Sequence, residues 1–278
     1  MSRPICIVTG ATAGLGLATA KGLAAAAAHV VMIARDEARG KVAKEAVLSA
    51  VPNATVDVDV ADLASLESIR RASERLHDRY PRFDALINNA AIVPQERTLS
   101  KDGIELQWAV NHLAPYLFTR LLLDRLAEGD GGRVVNVTSK MHRRGRIDFD
   151  DLQFETRKYA WSAAYCQSKL ANVLFTYELD RRAQGLGVTS NCFHPGVIAT
   201  KVARRFNIFT RALSKLLLKT PEQGADTAIY LALSNELDGV SGKFFVDRKA
   251  VDSAKASYDE EVARTLWEVS ADAVGMPH

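Results

Sequence analysis

The chain has 278 residues, 47% apolar and 25% charged, with 36 basic against 33 acidic side chains and a net charge of +3. That composition fits a soluble globular protein and excludes a disordered one, and its near-balanced charge leaves no footprint for nucleic acid. Cys6, Cys166 and Cys192 lack metal-ligand spacing, "MSRPICIVTG" enters a strand without a secretory signal, and no apolar run reaches the roughly 18 residues of a membrane span, so a cytoplasmic setting is expected.

In chain order, "ICIVTG" (5–10), "HVVMIAR" (29–35), "ATVDVDV" (54–60), "DALINNA" (84–90), "GRVVNVTS" (132–139), "VTSNCFHP" (188–195) and "GKFFV" (242–246) read as strands. Between them "GLGLATAKGLAAAA", "ASLESIRRASERLHDRY", "QWAVNHLAPYLFTRLLLDRLA", "AYCQSKLANVLFTYELDRRAQ" and "PEQGADTAIYLALS" fit helices. Asp36 reads as the N-cap of a helix over "EARGKVAKEAVL", and Asp62 as the cap of one starting at Leu63. Alternating strands and helices, the early strands almost wholly apolar, predict an α/β fold. It is a single-domain Rossmann-type doubly wound parallel sheet over 1–278, of about seven strands flanked by helices.

Two segments interrupt the alternation. Residues 140–160 form a long polar connection, and 201–219, "KVARRFNIFTRALSKLLLK", mixes basic and apolar side chains. The second has three readings: a substrate lid, a basic amphipathic contact with anionic lipid, or an ordinary packed helix. Residues 250–278 form a C-terminal extension.

"TGATAGLG" joins the first strand to the first helix, with glycines at 10, 14 and 16. Gly10 allows a tight turn, Gly14 clears the approach of a pyrophosphate, and Gly16 lets helix and strand pack closely. Free N–H groups at the helix N-terminus then face the phosphates. Further on, Tyr165 and Lys169 lie four residues apart, on one helical face. A phenol with a lysine cation one turn away is a candidate acid/base, since the cation favours phenolate. Thr138 and Ser139 compete by chemistry for a hydroxyl at the sheet's carboxyl edge. His112 points about 100° round the helix from Asn111 and is not expected to be catalytic. His142 and His194 are weaker candidates for the pocket wall, and no carboxylate–histidine cluster suggests a metal.

TGxxxGxG, "NNAA" at 88–91 and "YCQSK" at 165–169 together resemble the short-chain dehydrogenase/reductase family over essentially the whole chain. "AYCQSKLANVLFTYEL", "HPGVIAT", "TPEQGADTAIYLAL", "SGKFFVD" and "LWEVSADAVG" resemble its retinol-dehydrogenase-like branch, and protochlorophyllide reductases share part of the pattern. The resemblance implies catalysis by Asn111, Ser139, Tyr165 and Lys169, with Tyr165 as acid/base, Lys169 as its tuner, and Asn111 holding a water-linked relay to the lysine. It selects Ser139 over Thr138. The implied cofactor contacts are Gly10, Thr12, Ala13, Gly14, Leu15, Gly16, Arg35, Asp59, Val60, Asn88, Ala90, Tyr165, Lys169, Pro195, Gly196, Ile198 and Thr200. Asp59 and Val60 would lie beside the adenine, and Ile198 and Thr200 against the nicotinamide carboxamide.

The family register puts Ala34 where an acidic residue would bind the ribose hydroxyls, with Arg35 after it to pair with a 2′-phosphate. NADP(H) is therefore expected over NAD(H), although a one-residue shift would make Asp36 the ribose acceptor. Two positions depart from the family pattern. Ala91 stands where glycine is usual, and Ala27 where an αL helix-cap glycine is usual, at a cost of about 1 kcal/mol if that geometry is kept. The implied function is interconversion of a hydrophobic aldehyde or ketone and its alcohol. Reduction of a carbon–carbon double bond and a non-catalytic NADP(H) sensor are the alternatives. The expected partner is a small lipophilic carbonyl or alcohol; a homodimer through two long helices, as in many relatives, is the other.

Overall fold

The structure, a computed structural model, describes residues 3–129, 131–197 and 218–278. Its strands are β1 (Ile5–Thr9), β2 (His29–Ala34), β3 (Thr55–Val60), β4 (Ala85–Asn88), β5 (Arg133–Val137), β6 (Thr189–His194), β7 (Lys243–Val246) and β8 (Lys249–Val251). They form one sheet in the order β3-β2-β1-β4-β5-β6-β7-β8. All pairings are parallel except β7 with β8. The order reverses between β1 and β4, which opens a crevice at their carboxyl ends.

Helices flank both faces: α1 (Gly14–Ala25), α2 (Glu37–Ala50), α3 (Leu66–Arg79), α4 (Leu106–Trp108), α5 (Ala114–Leu121), α6 (Leu123–Ala127), α7 (Trp161–Arg182), α8 (Pro221–Leu233) and α9 (Glu260–Val274). Alternation along β1 feeds the two layers, because successive side chains leave a strand on opposite faces. Cys6 and Val8 join Leu23, Val47 and Leu231 under α1, α2 and α8. Ile7 joins Ile69, Leu117, Leu174 and Trp267 under α3, α5, α7 and α9. Helix α7 is buried from Ala164 through most of its length, since the sheet lies on one side of it and α9 on the other. Trp267 of α9 rests on Tyr116 of α5 and Phe175 of α7, with ring centroids 5.0 and 5.9 Å away. That part of the two long helices is thus already covered within the chain.

The sheet has eight strands where about seven were expected. The extra one, "KAV", is three residues long and polar at its start, so no alternation marks it. It returns through Asp247 and Arg248, both at positive φ (52° and 62°), the backbone of a two-residue hairpin turn. Helix α3 starts at Leu66 rather than Leu63. Ser65 is its cap, accepting from Ser68 N–H, while the Asp62 carboxylate turns back to Ala64 N–H at 3.1 Å. Asp36 does cap α2, accepting from Arg39 N–H at 2.9 Å. The helix expected over 107–127 is broken into α4, a π-helical turn (Ala109–Leu113), α5 and α6. Pro115 explains the first break: it offers no N–H to the carbonyl four residues back. Ala27 holds the left-handed conformation expected of it, with φ 62°.

Candidate active site

The glycine turn sits where β1 meets α1. Gly10 has φ 62° and Gly14 φ 53°. A Cβ on Gly10 would lie 2.9 Å from Ala90 Cα, and one on Gly16 only 2.3 Å from the Gly10 carbonyl oxygen. Helix α1 begins after an extended Ala13 that gives no side-chain cap, so its first-turn N–H groups are left open. Thr12, Ala13 and Leu15 complete the rim. Shape and donors fit a dinucleotide pyrophosphate.

Asn89 secures this turn from the neighbouring strand, and sequence reasoning passed over it. Its Nδ2 donates to Thr9 O at 2.8 Å and Gly10 O at 3.3 Å. The Asn89 and Ala90 amides both donate to Thr9 Oγ1, at 2.9 and 3.1 Å. The second asparagine of "NNAA" was the available signal. The first, Asn88, donates to Thr119 Oγ1 and Asn136 Oδ1, both at 2.9 Å, and so ties the central strands together.

At the end of β2, Ala34 is buried, and Arg35 is exposed with no partner among the described residues. The Asp36 carboxylate is engaged by the α2 N-terminus and Arg39. The Asp59 carboxylate is buried against Arg75 and Arg79 of α3. Val60 is partly exposed at the strand end, and its carbonyl accepts from Arg75 at 2.7 Å. Pro195 and Gly196, the latter at φ 90°, follow β6; Ile198, Thr200 and nearly all of the 201–219 segment lie outside the described residues.

Ser139, Tyr165 and Lys169 converge beside β5. The Thr138 hydroxyl is committed to Phe193 O at 3.1 Å, which leaves Ser139 as the hydroxyl at the edge. Ser139 caps the short 3-10 turn after it (Lys140–Arg144), its hydroxyl accepting from Met141 N–H at 3.2 Å. Burial raises the Tyr165 pKa above its ordinary value of 10.0, and the nearby Ser139 hydroxyl opposes that. Burial outweighs the lowering expected of Lys169, so the net direction is upward. Lys169 is itself buried, donates to Val137 O at 2.9 Å, and lies 5.7 Å from the centre of the Tyr165 ring. Burial lowers its pKa from 10.5 to about 8. The phenol is thus held in its protonated, donating form.

Asn111 lies buried in the π-helical turn. Its Oδ1 accepts from Ile92 N–H at 2.8 Å, and its Nδ2 donates to Ile92 O at 3.0 Å and Ser168 Oγ at 3.3 Å. The side chain ties the π-helical turn to Ile92 and to Ser168 on α7. Both weaker histidine candidates are buried. His142 donates from Nδ1 to Ser139 O and accepts at Nε2 from Ala254 N–H, which fixes the turn after Ser139. His194 lies beyond Phe193 at the end of β6, its Nδ1 unpartnered and its pKa lowered by burial to about 4. Among the described residues no cluster of three His, Cys, Asp or Glu is placed to hold a metal, and no helix is long and apolar enough to cross a membrane.

Comparison with known proteins agrees with this geometry. The chain is 44% identical over 278 residues to retinol dehydrogenase 13 of Homo sapiens, covering 97% of this chain and 84% of that protein. Its backbone is similar to that of an uncharacterized protein from Mycobacterium Paratuberculosis (TM-score 0.80, 32% identity, 99% of this chain and 94% of that one). It is also similar to a Beutenbergia cavernae structure described as an NAD(P) dependent gluconate 5-dehydrogenase with bound NADP (TM-score 0.72, 27% identity, 89% and 96%). The family model for short chain dehydrogenase matches residues 4–209, about three quarters of the sequence, and the chain belongs to that family, with a retinol-dehydrogenase-like sequence.

Proposed function

We propose that this oxidoreductase interconverts a hydrophobic aldehyde or ketone and its alcohol with NADP(H), and that Tyr165 is the acid/base. The observation that carries the reading is the placement of Tyr165 beside buried Lys169, whose ammonium lies 5.7 Å from the centre of its ring, with Ser139 at the end of β5 and the glycine turn at the carboxyl ends of the same sheet. When bound, a nicotinamide dinucleotide supplies or accepts the hydride at the substrate carbon.

The chain's own residues do the rest. Gly10, Gly14 and Gly16 give the pyrophosphate a backbone surface, and the open N–H groups of α1 face it. Ser139 orients the substrate oxygen, and the protonated Tyr165 hydroxyl gives its proton to that oxygen as negative charge develops. Lys169, positively charged below its pKa of about 8, stabilises the phenolate left behind. Exposed Arg35, without a partner among the described residues and next to apolar Ala34, favours a 2′-phosphate, while Asp36 is engaged as a helix cap. A lipophilic substrate agrees with the retinol dehydrogenase relative.

The test is steady-state turnover across aldehydes and ketones, from short aliphatics to retinal, with NADPH and NADH. Turnover favouring long apolar carbonyls, with at least about tenfold higher kcat/KM for NADPH, is expected. Tight NADPH binding without any carbonyl turnover would favour a sensor, and turnover confined to carbon–carbon double bonds would favour the other reductase class. An NADH preference above about tenfold would overturn the Arg35 assignment.

A further inference from the structure

His112 was set aside on sequence grounds because it points away from Asn111, yet it is fully buried and both its ring nitrogens are engaged. Nδ1 lies 3.2 Å from Asn172 Oδ1, and Nε2 lies 2.9 Å from Ser270 Oγ on α9. Asn172 in turn donates from Nδ2 to the Asn111 carbonyl oxygen at 2.8 Å. That carbonyl needs an outside donor, because the residue four positions on is Pro115, which has no N–H.

Only one assignment of protons satisfies the chain of contacts. The Asn111 carbonyl is an acceptor only, so the Asn172 amide must turn its NH2 toward it and its Oδ1 toward His112. Nδ1 of His112 must then carry the proton, and Nε2 must accept from the Ser270 hydroxyl. The ring itself is held by Trp108 (centroids 4.5 Å apart), with Phe175 edge-on at 6.5 Å. Asn111 is where the consequence falls: its side chain holds Ile92, just past the Ala90 cofactor rim, and Ser168, next to Lys169 on α7.

We infer that His112, Asn172 and Ser270 are positioning residues. They fix the Asn172 amide, and through it the π-helical turn that displays Asn111, so that the cofactor rim and the Tyr165–Lys169 helix keep one register. The inference rests on the oxidoreductase reading for its kinetic consequence only. The geometric link to the C-terminal helix stands apart from it.

The experiment compares His112→Asn with His112→Gln. Asparagine places an amide N–H where Nδ1 was and keeps the bond to Asn172, whereas glutamine reaches toward Ser270 and loses it. Both remove the same buried ring, so a purely structural role would affect them alike. Each is measured for kcat, KM, NADPH affinity, and amide hydrogen exchange over 106–116. The expected result for His112→Gln is a fall in kcat of about tenfold or more, with KM and NADPH Kd within about threefold, and faster exchange in that segment. His112→Asn should restore kcat to within about threefold and keep the protection. Equal kcat in the two variants, or a loss confined to KM, overturns the inference. If the wild type turns over no carbonyl, the functional reading fails, and the exchange comparison still decides: equal protection in both variants overturns the positioning role. Should either variant not fold, Ser270→Ala takes its place, and unchanged exchange over 106–116 overturns the inference.

Discussion

Replacing Lys169 by methionine should make the protein more stable while ending its catalysis. The ammonium is 1% exposed and makes one hydrogen bond, to Val137 O. Its pKa falls from 10.5 to about 8, and at about 1.4 kcal/mol per unit the charged form is disfavoured by about 3 kcal/mol. Methionine fills a similar volume without charge, but leaves the Val137 carbonyl without its donor, a loss of about 1–2 kcal/mol. The net expectation is a gain of about 1–2 kcal/mol, or roughly 3–6 °C in Tm for a chain of this size. Linkage gives a second readout. Between pH 8 and 10.5 the unfolded chain holds the lysine proton and the folded one does not, so wild-type stability gains a contribution as pH rises through that window. Urea unfolding without cofactor, at pH 7.5 and at about pH 9.5, measures both, and Lys169→Met should lose that pH dependence. A variant less stable than wild type, or one that keeps this alkaline rise in full, would refute the burial argument. Turnover and NADPH affinity should both fall.

Ala27→Gly removes the left-handed strain at φ 62° and should stabilise the protein by about 1 kcal/mol; a thermal melt reading no gain would show the strain to be relieved locally. Acid should weaken the fold well above the carboxylate range. His112 and His194, both held to about 4 by burial, stay neutral in the folded state while the unfolded chain takes up protons from about pH 6.5 downward. Each then removes up to about 1.4 kcal/mol per pH unit between 6.5 and 4, with full stability above that window. The lowered carboxyls of Asp57 and Asp124 add their loss only below their ordinary 3.8. Urea midpoints flat from pH 7 to 4.5 would contradict this assignment.

The sequence made legible what local chemistry encodes. Glycines at 10, 14 and 16, a strand before them and a helix after them are enough to place the turn from β1 into α1, and the spacing of Tyr165 and Lys169 is enough to put them on one helix. Asp36 was read correctly as a cap because its partner is three residues away. What escaped depends on contacts distant in sequence. The pairing of the Asp59 carboxylate with Arg75 and Arg79 of α3 is one example. The burial of Lys169 and its bond to Val137 O are another. His112 could not be read at all, since its partners lie 60 and 158 residues away. Pro115 was visible, but its consequence, a carbonyl needing Asn172, was not.

The central claim is that the Tyr165 hydroxyl delivers the proton and adds little to cofactor affinity. Tyr165→Phe, compared with wild type for NADPH-dependent reduction of the best carbonyl in the panel and for NADPH binding, tests it directly. The account predicts turnover lost by about a thousandfold or more with NADPH Kd within about threefold. Near-wild-type turnover in the phenylalanine variant would contradict it.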